Sequence, residues 1–252
     1  MKYQPPVLLK TEPDVAVDER LYYEVASNGI FQVKDTELYR AVTQVTRDVP
    51  GLYPSRERLE MRFPPLPAEP LQEVLVFFAE VNRRYEGEAI VMIFFDPGTR
   101  SYCFDAPPQR ITGYRDSRGK LRAYLRLDYG SAPRPEGHLL FGTIHSHADL
   151  SAYSSGIDCD DERFGDGLHV VYGHFGTSSL SRSAGFVAGG RRFHVEPAHV
   201  LPSCSLPERP ARADWLARVT FEETKGWAQA TSSWDGGAEA PPLIGRVPYG
   251  EA

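Results

Sequence analysis

The chain has 252 residues, of which 41% are hydrophobic and 25% charged, and its formal net charge is −6. This composition is typical of a globular protein with a sizeable core, and the negative charge argues against nucleic-acid and membrane-surface binding. No apolar run approaches the ~20 residues that span a bilayer, and the N-terminus lacks a signal-peptide core. Cys103, Cys159 and Cys204 lack CxxC spacing and fit reduced thiols. We therefore expect a cytoplasmic protein with neither nucleic-acid nor membrane partners.

Residues 1–70 are predicted to form a β-rich extension. Two apolar–polar runs, 21–25 and 30–33, flank Asn28-Gly29, a dipeptide that favours a hairpin turn because both residues tolerate positive φ. Residues 36–63 contain short alternations that predict no definite element. Four prolines between Pro64 and Pro70 then indicate a boundary before a helix, because proline fixes φ and lacks a donor.

Residues 71–200 are predicted to form the main domain. Apolar residues recur at helical spacing from Leu71 to about Tyr85, and the run 88–95 is apolar on both faces, as in a buried strand. Because strands outnumber helices and hairpins dominate, we expect an α+β domain with a mixed sheet and flanking helices. Further strands are predicted at 100–104, 121–127, 139–145, 168–175, 186–188 and 192–195.

The C-terminal part of the chain, 201–252, is predicted to be a tail. Pro, Ser, Gly and Glu are frequent there, and a short helix is expected around Asp214 to Val219. The last ~25 residues have few apolar anchors, which predicts a mobile end.

A histidine pair closes the predicted strand 139–145. Because residues two apart on a strand face the same way, His145 and His147 can converge on one point, and Asp158 follows in the next loop. Two imidazoles and one carboxylate can hold zinc and leave a fourth position for water. Taken separately, each fragment has a simpler explanation: an HxH pair is common, and Ser155 with Asp158 would form a helix capping box. His169 and His174, five apart on one predicted strand, form no second cluster.

The joint spacing is more specific than its parts. The pattern H-[ST]-H, seven residues, S, two residues, D is the signature of the JAMM (MPN-plus) metalloproteases, and His145-Ser146-His147, Ser155 and Asp158 match it. The family also has a glutamate at the start of a core strand that follows a helix, where this chain has Glu88. Ala148 departs from the pattern, because the family usually has proline there. The resemblance covers about residues 71–196.

This resemblance implies a fold, a cofactor and a set of roles. It implies an MPN/JAMM core of the cytidine-deaminase-like type and one zinc ion per chain, with His145, His147 and Asp158 as ligands. Glu88 would act as general base and Ser155 would stabilise the oxyanion. Glu86 is the alternative base, although it falls in the predicted turn before the strand.

The function that the resemblance implies is that of a zinc isopeptidase or peptidase, similar to bacterial stand-alone deubiquitinase-like enzymes. The expected partners are a ubiquitin-like protein and its conjugates, with the activating or conjugating enzymes of the same system. Segments 96–120 and 149–156 would form the walls of the substrate channel. Three alternatives stay open: a RadC-like protein, a zinc hydrolase of small amides or cysteine conjugates, and a noncatalytic MPN scaffold.

Overall fold

The computed structural model shows a protein that is mostly β. It describes residues 5–13, 17–45, 53–115, 118–156, 158, 162, 165–177, 179–203 and 205–224. Within this part of the chain, fourteen strands form three sheets and three helices are present. The expected α+β class, an MPN/JAMM core with flanking helices, is therefore wrong. The error arises because strands of residues 1–70 form a sheet of their own and a strand of the predicted tail joins a third sheet, while only one helix is longer than four residues in the described ranges.

The N-terminal sheet has five strands in sequential order. They are β1 (Val7–Leu9), β2 (Leu21–Ala26), β3 (Gly29–Asp35), β4 (Tyr39–Gln44) and β5 (Arg58–Met61). Strand β1 runs parallel to β2, and the other pairs are antiparallel. The hairpin predicted at Asn28-Gly29 is confirmed by the β2–β3 pair. Strands β4 and β5 lie in the stretch for which the sequence predicted no element.

The long helix α1 (Ala68–Tyr85) follows, and its prediction is confirmed. It begins three residues earlier than expected, because Pro70 lies in the first turn, where no backbone donor is needed. It ends at Tyr85, and the capping residue Glu86 that follows has a φ of 47°, in the left-handed region typical of a helix C-cap. Two short helices come later, α2 (Pro197–Val200) and α3 (Ala213–Leu216).

The central sheet has six strands and carries the predicted histidine pair. The remaining strands of the chain are β6 (Ile90–Asp96), β7 (Ser101–Asp105), β8 (Gln109–Arg115), β9 (Leu121–Tyr129), β10 (Leu139–Ser146), β11 (Gly167–Gly173), β12 (Ser181–Ala188), β13 (Arg191–Val195) and β14 (Val219–Glu223). The central order is β13-β12-β11-β10-β6-β7, and only the β10–β11 pair is parallel within it. The third sheet has the order β14-β8-β9.

One face of the central sheet is buried against the main hydrophobic core. Ile144 of β10, Val170 of β11 and Phe186 of β12 share a single apolar cluster with the buried residues of α1. Leu38, Phe63 and other residues from the N-terminal 70 belong to the same cluster, so the extension packs on this core. The other face of the sheet carries the histidines, because side chains alternate along a strand.

Two predicted regions lie partly outside the described residues. Cys159, Cys204 and residues 225–252, which include the predicted mobile end, are not described. Within residues 205–224 of the expected tail, the chain forms α3 and β14, and Trp215 of α3 is completely buried. No helix among the described residues is both long enough and apolar enough to cross a membrane.

Candidate metal centre

His145 and His147 meet at the end of β10. Strand geometry turns both imidazoles to the same face of the sheet, and their Nε2 atoms lie 3.3 Å apart. Both residues are buried, at 7% and 4% exposure. Ser146, between them, points the opposite way and is fully buried, and its hydroxyl accepts a hydrogen bond from the Ala89 backbone N–H at 2.9 Å. The motif serine thus ties β10 to the start of β6.

Asp158 completes the group from a separate segment. Its Oδ1 lies 3.4 Å from His145 Nε2, and its Oδ2 lies 3.4 Å from His147 Nε2. One donor atom from each of the three residues lies within 4.8 Å of the others. The group could therefore hold a metal ion, as the sequence predicts.

The capping box considered for Ser155 is present as well. The Ser155 backbone N–H donates to Asp158 Oδ2 at 2.7 Å, and the Asp158 N–H donates to Ser155 Oγ at 3.1 Å. Helix capping and metal binding by Asp158 are compatible, because the cap holds its carboxylate in the orientation that faces both histidines.

The pKa values of Asp158 and His147 are shifted by the residues around them. Burial raises the pKa of Asp158, but hydrogen bonds from His145 and His147 outweigh this effect and hold that pKa well below its usual range. Burial lowers the pKa of His147, yet the hydrogen bond with Asp158 and the negative charge of Glu88 leave it raised. The centre is therefore a negatively charged carboxylate surrounded by basic nitrogens, which is a suitable environment for a cation.

Glu88 lies beside the centre on the neighbouring strand. In the β6–β10 pair His145 lies opposite Ile90, and the Ser146 N–H donates to the Ala89 carbonyl at 2.9 Å. Continuing this register by one residue places Glu88 opposite His147, and directly opposite residues share a face. Glu88 is 9% exposed. Its proximity to His147 is also evident from its effect on the pKa of that histidine.

Gln109 fixes the backbone next to Glu88 and was not found from the sequence. Its buried side-chain amide accepts from the Ile90 N–H at 2.9 Å and donates to the Ile90 carbonyl at 3.1 Å, as a neighbouring strand would. The start of β6 is thus held from both sides, by Gln109 and by Ser146. A single glutamine carries no sequence signal for this role, because the role depends on a contact between β8 and β6.

The loop after His147 has an unusual backbone at the position where the motif departs from the family. Ala148 has a φ of 46°, which a proline ring cannot adopt. The loop is bonded to the end of β11, because the His174 N–H donates to the Leu150 carbonyl at 2.8 Å and the Phe175 N–H donates to the Ala148 carbonyl at 3.1 Å. Gly173 allows this approach, since a Cβ there would lie 2.1 Å from the Leu150 carbonyl oxygen.

Two apolar side chains of this loop are exposed at the edge of the centre. Leu150 is 59% and Tyr153 49% exposed, and the Tyr153 ring meets the His147 ring edge-on at 4.9 Å between centroids. The predicted channel wall 149–156 therefore adjoins the ligands. About half of the other predicted wall, 96–120, consists of strands β7 and β8.

The ligand group does not include the other residues considered from the sequence, Glu86, His174 and His169. Glu86 caps α1 and its carboxylate lies 3.5 Å from the Lys120 ammonium. His174 follows β11 with a φ of 62° and lies outside the strand predicted to include it. His169 is buried on β11, and its ring contacts Thr143 of β10 at 2.9 Å.

No protein-family model matches the chain, and no curated protein matches it.

Proposed function

We propose that the chain is a zinc-dependent hydrolase of amide bonds, with His145, His147 and Asp158 as metal ligands. The observation that carries this proposal is the placement of two buried histidines and the partly buried Asp158 around one point, with the carboxylate of Glu88 beside them. The motif resemblance to the JAMM metalloproteases supports the same chemistry independently of fold class.

The spacing of the donor atoms favours a tetrahedral metal. Zinc bonds to nitrogen and oxygen are about 2.0–2.2 Å long, so two ligands of a tetrahedral site lie about 3.3–3.6 Å apart. Octahedral ligands at the same bond lengths would lie only about 2.8–3.1 Å apart. The three closest donor separations here are 3.3, 3.4 and 3.4 Å. The two carboxylate separations involve different oxygens, Oδ1 toward His145 and Oδ2 toward His147, so the histidine pair and each histidine–carboxylate pair separately have the spacing of tetrahedral ligands. Three protein ligands would leave a fourth position for water or substrate.

Zinc bound here would supply a water molecule whose pKa is lowered to roughly 7. Glu88 is the base that we assign to that water, because it lies on the same face as His147 without belonging to the ligand group. It would accept the proton and deliver it to the leaving amine. Its rigid backbone, held by Ser146 and Gln109, limits the movement that would weaken this transfer.

Ser155 is assigned to the oxyanion of the reaction. Its Oγ accepts the Asp158 N–H at 3.1 Å, which leaves the hydroxyl proton to be donated. A hydrogen-bond donor fixed beside the reacting carbonyl stabilises the charge that develops there. The same hydroxyl therefore serves both the helix cap and the reaction.

The proposed substrate is an extended peptide or isopeptide, specifically the C-terminus of a ubiquitin-like protein joined to another chain. The motif resemblance supports this choice, and the exposed Leu150 and Tyr153 provide an apolar wall for such a chain. A panel of ubiquitin-like fusions and small amides tests it. Cleavage of small amides or cysteine conjugates alone would assign the chain to the small-molecule hydrolases instead.

The test of the chemistry compares two glutamates near the end of α1. Glu88→Gln should retain zinc and lower turnover by about 10²–10⁴-fold, because the base is removed while the ligands stay. Glu86→Gln is the matched control and should keep normal turnover, since the Glu86 backbone caps α1 and its carboxylate lies near Lys120. Near-normal activity of Glu88→Gln would show that the base is assigned to the wrong residue.

A further inference from the structure

A chain of polar side chains, of which His169 and Glu162 are buried and the others partly buried, continues from the metal centre across the same face of the central sheet. It consists of Thr143, His169, Glu162, Arg192 and Ser154, and we refer to these five residues as the polar relay. Arg192 lies on β13, which two strands, β12 and β11, separate from the histidine strand β10. None of these residues belongs to the ligand group or to the proposed proton-transfer machinery.

Arg192 reaches toward the Asp158 segment through a space kept open by a glycine. A Cβ added at Gly185 of β12 would lie 2.6 Å from Arg192 Nε and 2.7 Å from its Cζ. A side chain at position 185 would therefore displace the guanidinium group. Position 185 needs a glycine because the guanidinium group occupies the space above it.

The guanidinium group contacts the chain on both sides of Asp158. One terminal nitrogen donates to Ser154 Oγ at 2.5 Å, directly before the capping Ser155. The other donates to the Glu162 carboxylate, four residues after Asp158. Asp158 and Glu162 each have helical backbone. Arg192 thus fixes the segment before and after the ligand.

The relay also joins the Asp158 segment to the histidine strand. The second Glu162 oxygen lies 3.6 Å from His169 Nδ1, and that nitrogen lies 2.9 Å from Thr143 Oγ1. Thr143 is two residues before His145 on the same face of β10. The Glu162 side chain is only 8% exposed, and a charged group so buried persists only with well-placed partners.

We propose that Arg192 is a positioning residue that sets the distance between Asp158 and the histidine pair, and thereby the metal affinity of the centre. This inference rests on the proposed metal site. Asp158 itself lies outside the strands of the sheet, so its position relative to β10 requires a connection across the sheet. The relay provides that connection, and residues that orient metal ligands commonly change metal affinity by 10–100-fold when they are removed.

The experiment measures zinc affinity by competition with a chromophoric chelator. It also records the absorption spectrum of the Co²⁺-substituted protein, because that spectrum depends on the geometry of the ligands. Arg192→Met should weaken zinc binding by about 10–100-fold and shift the cobalt spectrum. Arg192→Lys should recover part of the affinity, since lysine keeps the charge but cannot contact both Ser154 and Glu162. Arg191→Met is the matched control and should bind zinc normally, because Arg191 pairs with Glu57 in an exposed position.

Gly185→Ala keeps the test decisive if Arg192→Met fails to fold. The nearest contacts of its added methyl group are on the movable end of the Arg192 side chain, so it should leave the fold intact and weaken zinc binding in the same direction. Normal zinc affinity in folded Arg192→Met or Gly185→Ala would overturn the inference and leave the relay a purely structural network. Absence of zinc binding in the unsubstituted protein would instead refute the proposed metal site.

Discussion

The two faces of the central sheet differ in what they contribute. On one face Ile144, Val170 and Phe186 are at most 1% exposed and join the main apolar core. On the other face the neighbouring positions His145, His169 and Gly185 carry the metal ligand, a relay residue and the space for Arg192. Adjacent residues of the same strands thus serve stability on one side and chemistry on the other, as the period-two alternation of a strand allows.

The largest effect should come from substituting neighbouring residues of β10 on opposite faces. Ile144→Ala should lower the free energy of unfolding by about 2–5 kcal/mol, because it leaves a cavity in the core, while zinc binding is retained. His145→Ala should show the reverse, with loss of zinc and turnover and a smaller change in the stability of the metal-free protein. Urea unfolding and metal analysis of both variants check this. Equal losses of stability and zinc in both would mean that the two faces are not separable.

A second effect concerns the buried imidazole of His169. Burial lowers the pKa of His169 to about 4, and the nearby Glu162 charge is paired with Arg192. Because unfolded histidine has a pKa near 6.5, unfolding takes up a proton between about pH 6.5 and 4. This residue therefore contributes stability above pH 6.5 that is lost as the pH falls to about 4, on the order of 3 kcal/mol.

His169→Gln removes that titration and is the comparison for the effect. Urea unfolding of the metal-free protein at pH 7.5, 5.5 and 4.5 should show a smaller loss of stability in the variant than in the unsubstituted protein. Parallel pH curves would show that the pKa of His169 is the same in the folded and unfolded states.

The smallest effect should come from Ala148, where the backbone rather than the side chain is decisive. Its φ of 46° costs a non-glycine residue about 1–2 kcal/mol. Ala148→Gly should raise the free energy of unfolding by up to about 1 kcal/mol, after the added entropy of the unfolded chain is counted. Ala148→Pro should lower it by more than about 1 kcal/mol, since proline cannot adopt this φ. A proline variant as stable as the parent would show that the loop has another conformation.

The sequence was sufficient for local features and for the ligand spacing. The Asn28-Gly29 hairpin, helix α1 and the strand that ends in His145 were predicted because each depends on a short periodic pattern. The three-residue group His145, His147 and Asp158 was found because its signature lies within fourteen consecutive residues.

The fold class and the supporting residues required contacts between distant segments. Strand β14 pairs with β8, so that Val219 lies opposite Gln109, and no local pattern indicates a pairing over that separation. Gln109 and Arg192 support the centre from other strands, and their role depends on register rather than on neighbouring residues. The role of Glu162 likewise depends on its contacts with Arg192 and His169, which lie on other strands.

Zinc stoichiometry tests the central claim most directly. The purified protein should bind one zinc ion per chain, measured by elemental analysis after dialysis against buffer that contains no chelator. His147→Ala should bind none under the same conditions, and a chelator should remove the metal from the unsubstituted protein while its circular dichroism is retained. If the folded protein binds no zinc in stoichiometric amount, or if His147→Ala binds as much, then His145, His147 and Asp158 do not form a zinc centre.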